Sequence, residues 1–149
     1  MGRKDEYNYM KKVSIDFVIT QLILRGENAV PAHRLSRHDV YIQDKDIKIK
    51  VKFSKPIRRS RSTDKHWEFI KVVHGSRLWP TDIFHYYILV GFGENGNIEK
   101  IWKISVGDKI IYRKNQIFIP VDRFEDEKYN KYELEIIVEE GSGGLKWMD

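Results

Sequence analysis

Cysteine is absent from the 149-residue chain. That removes disulfides, thiolate metal sites and a cysteine nucleophile together, and nothing suggests a secreted framework. Long apolar runs are missing too. The longest, Tyr86 to Phe92, falls far short of the roughly 20 residues a membrane helix needs, so no membrane partner is expected. Met1-Gly2-Arg3-Lys4-Asp5-Glu6 leads into a mixed helix and not into an apolar signal core. Repeats and low-complexity tracts are lacking. No serine sits in a nucleophile-elbow motif, and none of His33, His38, His66, His74 and His85 forms a pair at helical zinc spacing. What is present is a 13% aromatic content, which argues against disorder. One domain spanning residues 1–149, soluble and cytoplasmic, is the expectation.

Charge is unevenly spread. The net charge is +5, yet residues 48–66 carry eight basic groups against Asp64 alone, a net of +7. Residues 120–149 carry four basic and nine acidic groups, a net of −5. A concentrated basic segment on and just after a strand attracts a polyanion, most commonly nucleic acid. The plainer reading is a solvated charge run.

Met10, Val13, Phe17 and Leu24 recur at helical spacing, predicting a helix over residues 5–25 that ends before Gly26. Its second half, Ile15 to Leu24, is apolar nearly all round and is expected to be largely buried. Short strands follow at Asn28-Ala29-Val30, ended by Pro31, and at Asp39 to Ile42. After a polar turn, Ile47 to Phe53 alternates strictly, which predicts a hairpin. Residues 54–65 read as a loop, given Pro56 and the Ser/Arg cluster, and Trp67 to Val73 is helix or strand. Tyr86 to Phe92 and Ile98 to Ile104 flank a turn at Glu94-Asn95-Gly96-Asn97. Ile110 to Tyr112 and Gln116 to Val121 read as short strands, and the class of residues 123–138 stays open. The fold class is α/β or α+β with a mixed sheet. Gly91-Phe92-Gly93-Glu94-Asn95-Gly96 mimics a dinucleotide fingerprint but lies between two strands, not before a helix.

The informative stretch is Ser36-Arg37-His38-Asp39-Val40-Tyr41-Ile42, the turn, then Ile47 to Ser54. Asp39 opens one strand. Lys50 and Lys52 lie two apart on its neighbour and share a face. A metal-dependent phosphodiesterase uses such a layout. Carboxylates from adjacent strands hold a hard cation that activates water, and a nearby lysine stabilises the transition state.

Here the chain resembles the PD-(D/E)XK (restriction-like) nuclease superfamily. The residues that carry the resemblance are Leu22-Ile23-Leu24-Arg25-Gly26, Asn28-Ala29-Val30-Pro31, Ser36 to Ile42 and Ile49-Lys50-Val51-Lys52-Phe53-Ser54-Lys55. It looks most like the small intron-encoded homing endonucleases of cyanobacteria. The resemblance implies a restriction-endonuclease-like core with flanking helices and magnesium-dependent cleavage of double-stranded DNA at specific sites. It also implies a homodimer or homotetramer. Asp39 matches the first aspartate, as metal ligand, and Lys52 the motif lysine. Lys50 stands where the family has an acid or glutamine. An ammonium there repels a cation, so cleavage by this chain is expected to be impaired. Asp16 falls near the place of an additional helix acid, about one residue off.

DNA contacts are expected from Lys48, Lys55, Arg58, Arg59 and Arg61, with Arg34 and Arg37 flanking Asp39; arginines reach phosphates or read guanine edges. Each residue also has a plainer reading. Asp39 could cap a turn, Asp16 could be a solvated helix residue, and the β-strand lysines could guard an edge strand against aggregation. Two further functional readings share these residues. One is a DNA-binding module that has lost cleavage. The other is an RNA-binding basic protein that stacks bases on Tyr41, Trp67 and Trp79.

Overall fold

Strict alternation of Ile47, Ile49, Val51 and Phe53 with Lys48, Lys50 and Lys52 makes a strand with one apolar face, and the architecture is built around it. A computed structural model describes residues 2–58, 64–70, 84–111, 116–121 and 127–138. In chain order the elements are helix α1 (Arg3–Leu24), β1 (Ala29–Pro31), β2 (Val40–Ile42), β3 (Ile47–Ser54), β4 (Pro56–Arg58), β5 (Lys65–Ile70), β6 (Tyr86–Phe92), β7 (Ile98–Ser105), β8 (Gln116–Pro120) and β9 (Glu133–Leu134). Six strands form one sheet in the order β1-β2-β3-β6-β7-β9, and β4-β5-β8 form a second. The β3–β6 pair is parallel and the other pairs are antiparallel. The result is an α+β fold with a mixed sheet.

The large sheet is covered on both faces, which explains the unbroken apolar run of β6. Ile88 and Val90 pack toward α1 with Met10, Val18, Leu22, Val40, Ile49 and Val51. Tyr87 and Leu89 pack the other way, with Trp67 and Phe69 of β5, Ile117 of β8 and Trp102 of β7. Each fully buried Ile, Leu or Phe contributes about 1.5–3 kcal/mol. A helix therefore lies on one face and a second sheet on the other, and α1 is the single α-helix among the described residues. Gly91 marks the tightest contact between the sheets. A Cβ there would meet the Trp67 ring at 2.8 Å, and Trp67 Nε1–H donates to the Phe92 carbonyl at 2.8 Å.

Helix α1 ends as its sequence predicts. Gly26 takes φ +86°, its N–H donates to the Ile23 carbonyl, and the Glu27 N–H donates to that of Leu22, a Schellman closure. The second half is less buried than expected. Only Val18, Gln21 and Leu22 are buried there, continuing the stripe of Met10 and Ser14, while Ile23 is 53% exposed, because the helix meets the protein on one side only. Gln21 is buried for a purpose: its side chain exchanges two 2.8 Å hydrogen bonds with the Ile137 backbone.

Two expectations change and one open reading closes. The stretch read as a loop over residues 54–65 contains β4, which pairs with β5 from Pro56↔Trp67 to Arg58↔Lys65; Pro56 is tolerated at the first position of a short strand. Of Trp67 to Val73, read as helix or strand, residues 67–70 belong to strand β5 and residues 71–73 lie outside the described residues. Of the strand expected at Ile110 to Tyr112, Ile110 and Ile111 belong to a 3₁₀ turn over Lys109–Ile111, and Tyr112 lies outside the described residues. Asp108 Oδ1 accepts the Ile110 N–H at 2.9 Å and the Tyr132 hydroxyl at 2.7 Å, and that local bond competes successfully with a ladder. Within residues 123–138 a 3₁₀ helix, Glu127–Tyr132, precedes β9 on the far edge of the sheet.

Candidate functional site

Strand β2 leaves β3 at Val40, which pairs with Ile49. One residue earlier, the Asp39 N–H still donates to the Ile49 carbonyl at 2.8 Å. The Asp39 side chain then replaces the next rung: its Oδ2 accepts the Val51 N–H at 2.8 Å. The two strands diverge there. Among the described residues no strand pairs with the outer edge of β3 beyond Ile49, while its inner edge pairs with β6 through Ser54. Asp39 thus stands at the fork.

The same Oδ2 lies 3.4 Å from Lys50 Nζ, with the Asp39 side chain 8% exposed and that of Lys50 25%. Lys52 follows on the same face of β3. All three line a cavity of about 600 Å³. Phe84, just before β6, and Tyr87 of β6 also line it, Tyr87 being set beside Lys50 by the parallel register Lys50↔Tyr87. One wall is Lys11 and Ile15 of α1, and the other is the loop carrying His33, Arg34, Arg37 and His38. Five permanent cations (Lys11, Arg34, Arg37, Lys50 and Lys52) face one acid, Asp39, which is already paired. His38 is half-buried beside Tyr41. Burial pushes its pKa down from 6.5, and Lys48 and Lys50 add to that against the opposing pull of Asp39 and Asp46.

Asp16 does not line this cavity. It is exposed, in a separate shallow hollow with Asn8, Lys11, Lys12 and Ile15. Residues on an α-helix rotate by about 100° each, so Lys11 and Ile15, four apart, share the inward face and Asp16 turns away. The helix acid that faces the open edge of β3 is Glu6, which lines a neighbouring groove and pairs with Lys55. Lys48 is half-buried on the face of Lys50 and Lys52. Lys55 and Arg58 are exposed. Arg59 and Arg61 lie outside the described residues, as do His74 and Trp79. His85 is committed to the fold, since its Nδ1 accepts the Lys48 N–H at 3.0 Å. Trp67, offered above as a base-stacking surface, is 1% exposed and sits in the core.

Magnesium prefers near-octahedral oxygen ligation, with one or two carboxylates. Among the described residues no group of three or more His, Asp or Glu side chains is placed to hold a metal ion. Of the cavity's single carboxylate, one oxygen already accepts an amide and pairs with an ammonium. The residues present do not fit the cation that the sequence led us to expect. They fit an anion.

No protein-family model matches the chain, and no curated protein matches its sequence. The solved structure of a bacterial homing endonuclease, I-Ssp6803I, does match. It superposes with a TM-score of 0.56 at 13% identity, over 95% of this chain and 94% of that one. The likeness is one of fold: a nuclease-like core. Sequence reading missed Lys11, Phe84 and Tyr87. The spacing of Lys11 and Ile15 signals a common helix face, but nothing in the sequence announces the parallel crossover that brings β6 beside β3.

Proposed function

We propose that this chain is a duplex-DNA-binding protein on a homing-endonuclease-like fold, with Asp39 and Lys52 marking the former or latent cleavage centre and Lys50 holding it inactive. The observation that carries the reading is the Lys50–Asp39 pair at 3.4 Å inside a cavity whose other charged walls are cationic. A backbone phosphate entering the cavity meets Lys11, Lys50 and Lys52 together, and Arg34 and Arg37 flank it. Lys48, Lys55 and Arg58 extend the positive charge beyond the cavity, and the sequence adds Arg59 and Arg61. Phosphate contacts position a protein on DNA, and base-edge contacts specify the site. Two opposed strands call for two copies, so the working form is a homodimer or homotetramer.

The reading is tested by duplex binding and plasmid cleavage with magnesium, for the native chain and for Lys50→Gln and Lys50→Glu. Binding with little or no cleavage by the native chain is expected, with cleavage gained in the variants. Efficient cleavage by the native chain would reject it. The RNA-binding reading loses support from the burial of Trp67, one of the stacking surfaces it needs.

A further inference from the structure

Beside the cationic cavity runs a second groove of about 790 Å³, along the open edge of β3 from Lys50 to Pro56. Its lining is aromatic and apolar: Tyr7 and Met10 of α1, Phe53 of β3, Ile57 of β4 and Phe69 of β5. Tyr7 is 57% exposed, and its ring centroid lies 5.1 Å from that of Phe53 at an interplanar angle of 48°. An exposed tyrosine propped on a second ring is a surface that offers a π-face to a partner. The rim has the opposite character. Arg3, Lys11, Lys50, Lys52 and Lys55 stand around the groove against Glu6 and Glu68, and Glu6 is paired with Lys55. Lys11, Lys50 and Lys52 line both the groove and the cavity, so an apolar slot and an anion pocket share one wall.

We infer that the groove takes an unstacked nucleotide, its base against Tyr7 and its phosphate on the shared lysines. Charge complementarity decides the occupant. A flat apolar ring tethered to an anion matches an aromatic slot tethered to a cationic pocket, whereas a plain apolar segment would leave the rim lysines beside it without gain. Base–aromatic stacking needs no particular base, because every base has a π-face. Unstacking a paired base costs a few kcal/mol, least where the base is already unpaired. The inference rests on the DNA-binding reading and adds to it a preference for a locally opened strand.

The test compares a fully paired duplex with the same duplex carrying one bulged nucleotide, with 2-aminopurine at the bulge as a second probe. The native chain should bind the bulged duplex at least about tenfold more tightly, with a fluorescence change at the bulge and not at flanking positions. Tyr7→Ala should collapse that ratio toward one, and Tyr7→Phe should keep it. Equal affinity for the two duplexes, or a ratio unmoved by Tyr7→Ala, overturns the inference while leaving duplex binding intact. Failure to bind either duplex removes the DNA reading and this inference with it. A free protein whose self-association is abolished by Tyr7→Ala would show that a second copy fills the groove, and would overturn the assignment as well.

Discussion

Asp39 Oδ2 holds two donors at once, the Val51 amide at 2.8 Å and the Lys50 ammonium at 3.4 Å. The first bond is architectural, because it replaces the ladder rung lost where β2 and β3 part. The second changes the chemistry of the fork. An ammonium about 4 Å from a cation opposes it by about 4 kcal/mol per unit charge at an effective dielectric of about 20, and the same group attracts a phosphate. One residue, Lys50, therefore turns the fork from a place for a cation into a place for an anion.

Separating the two roles of Asp39 is possible with two variants. Asp39→Asn keeps an oxygen able to accept the Val51 N–H but removes the charge opposing phosphate. It should fold nearly as well as the native chain and bind DNA more tightly. Asp39→Ala leaves that buried amide without its acceptor, at a loss of about 1–3 kcal/mol, seen as a fall in Tm of about 2–4 °C per kcal/mol. Thermal unfolding with duplex titration reads both. Weaker DNA binding by a folded Asp39→Asn protein would contradict the assignment.

Salt dependence measures how many cations reach phosphates. Log affinity should fall against log salt with a slope of about −0.9 per neutralised phosphate. Lys11→Gln together with Lys52→Gln should weaken binding and flatten the slope, as should alanine at Arg58, Arg59 and Arg61. Chelation with EDTA should leave native affinity unchanged, since no metal is needed to hold an anion there. An affinity that is flat in salt, or that collapses on chelation, counts against the cavity as the binding site.

How far the sequence reaches depends on the range of the interaction. The hairpin around Asp39, Lys50 and Lys52 is set by local alternation and a four-residue polar turn, and it forms where the pattern places it, within a residue. Helix α1 is local too, and its Gly26 stop is legible. What the sequence hides is distant pairing. The parallel register that sets Tyr87 beside Lys50 needs a crossover whose path no periodicity encodes. The second sheet was hidden for a similar reason, since β4 is three residues long, opens on a proline and owes its shape to β5. Asp16 shows the limit of motif matching: one position along a helix is enough to turn a side chain out of a site.

Protonation of His38 should couple to both stability and binding. Its pKa in the folded chain lies below 6.5, so the unfolded chain takes up a proton first as pH falls. Stability should then decline as pH drops below about 6.5 and level off beneath the folded pKa. A bound phosphate favours the imidazolium, so DNA affinity should rise over that same interval. His38→Gln should flatten both profiles. Denaturant unfolding and duplex titration between pH 5 and pH 8 check the signs, and an affinity that falls with acid would exclude His38 from the phosphate pocket.

Association follows from the geometry of a duplex. Within the acidic segment, residues 120–149, Glu133 and Leu134 form β9 at the sheet edge opposite β1, and Glu133 pairs with Lys100 at 3.5 Å. In sheet order that edge is remote from the cationic cavity beside β3, and it is where we expect a subunit contact. Sedimentation should give a mass above the 17.8 kDa of one chain. A strict monomer, free and on DNA, would reject the two-fold arrangement.

Replacing Lys50 with glutamate tests the fork most directly, and without relying on activity. The substitution removes the ammonium and sets a second carboxylate beside Asp39. Two carboxylates on adjacent strands are what a hard divalent cation accepts, though like charges so close will repel each other when no cation is present. Lys50→Glu should therefore unfold at lower temperature than the native chain in EDTA and recover with magnesium. Linkage gives the size: a ligand at about 100 times its Kd stabilises by about 2.7 kcal/mol. Magnesium should do nothing comparable for the native chain. Plasmid cleavage should appear in Lys50→Glu with magnesium and vanish again when Asp39→Ala is added. If magnesium stabilises both proteins equally, or if Lys50→Glu is indifferent to it, Lys50 is not the group that keeps a cation out and the acid position of the site lies elsewhere in the chain.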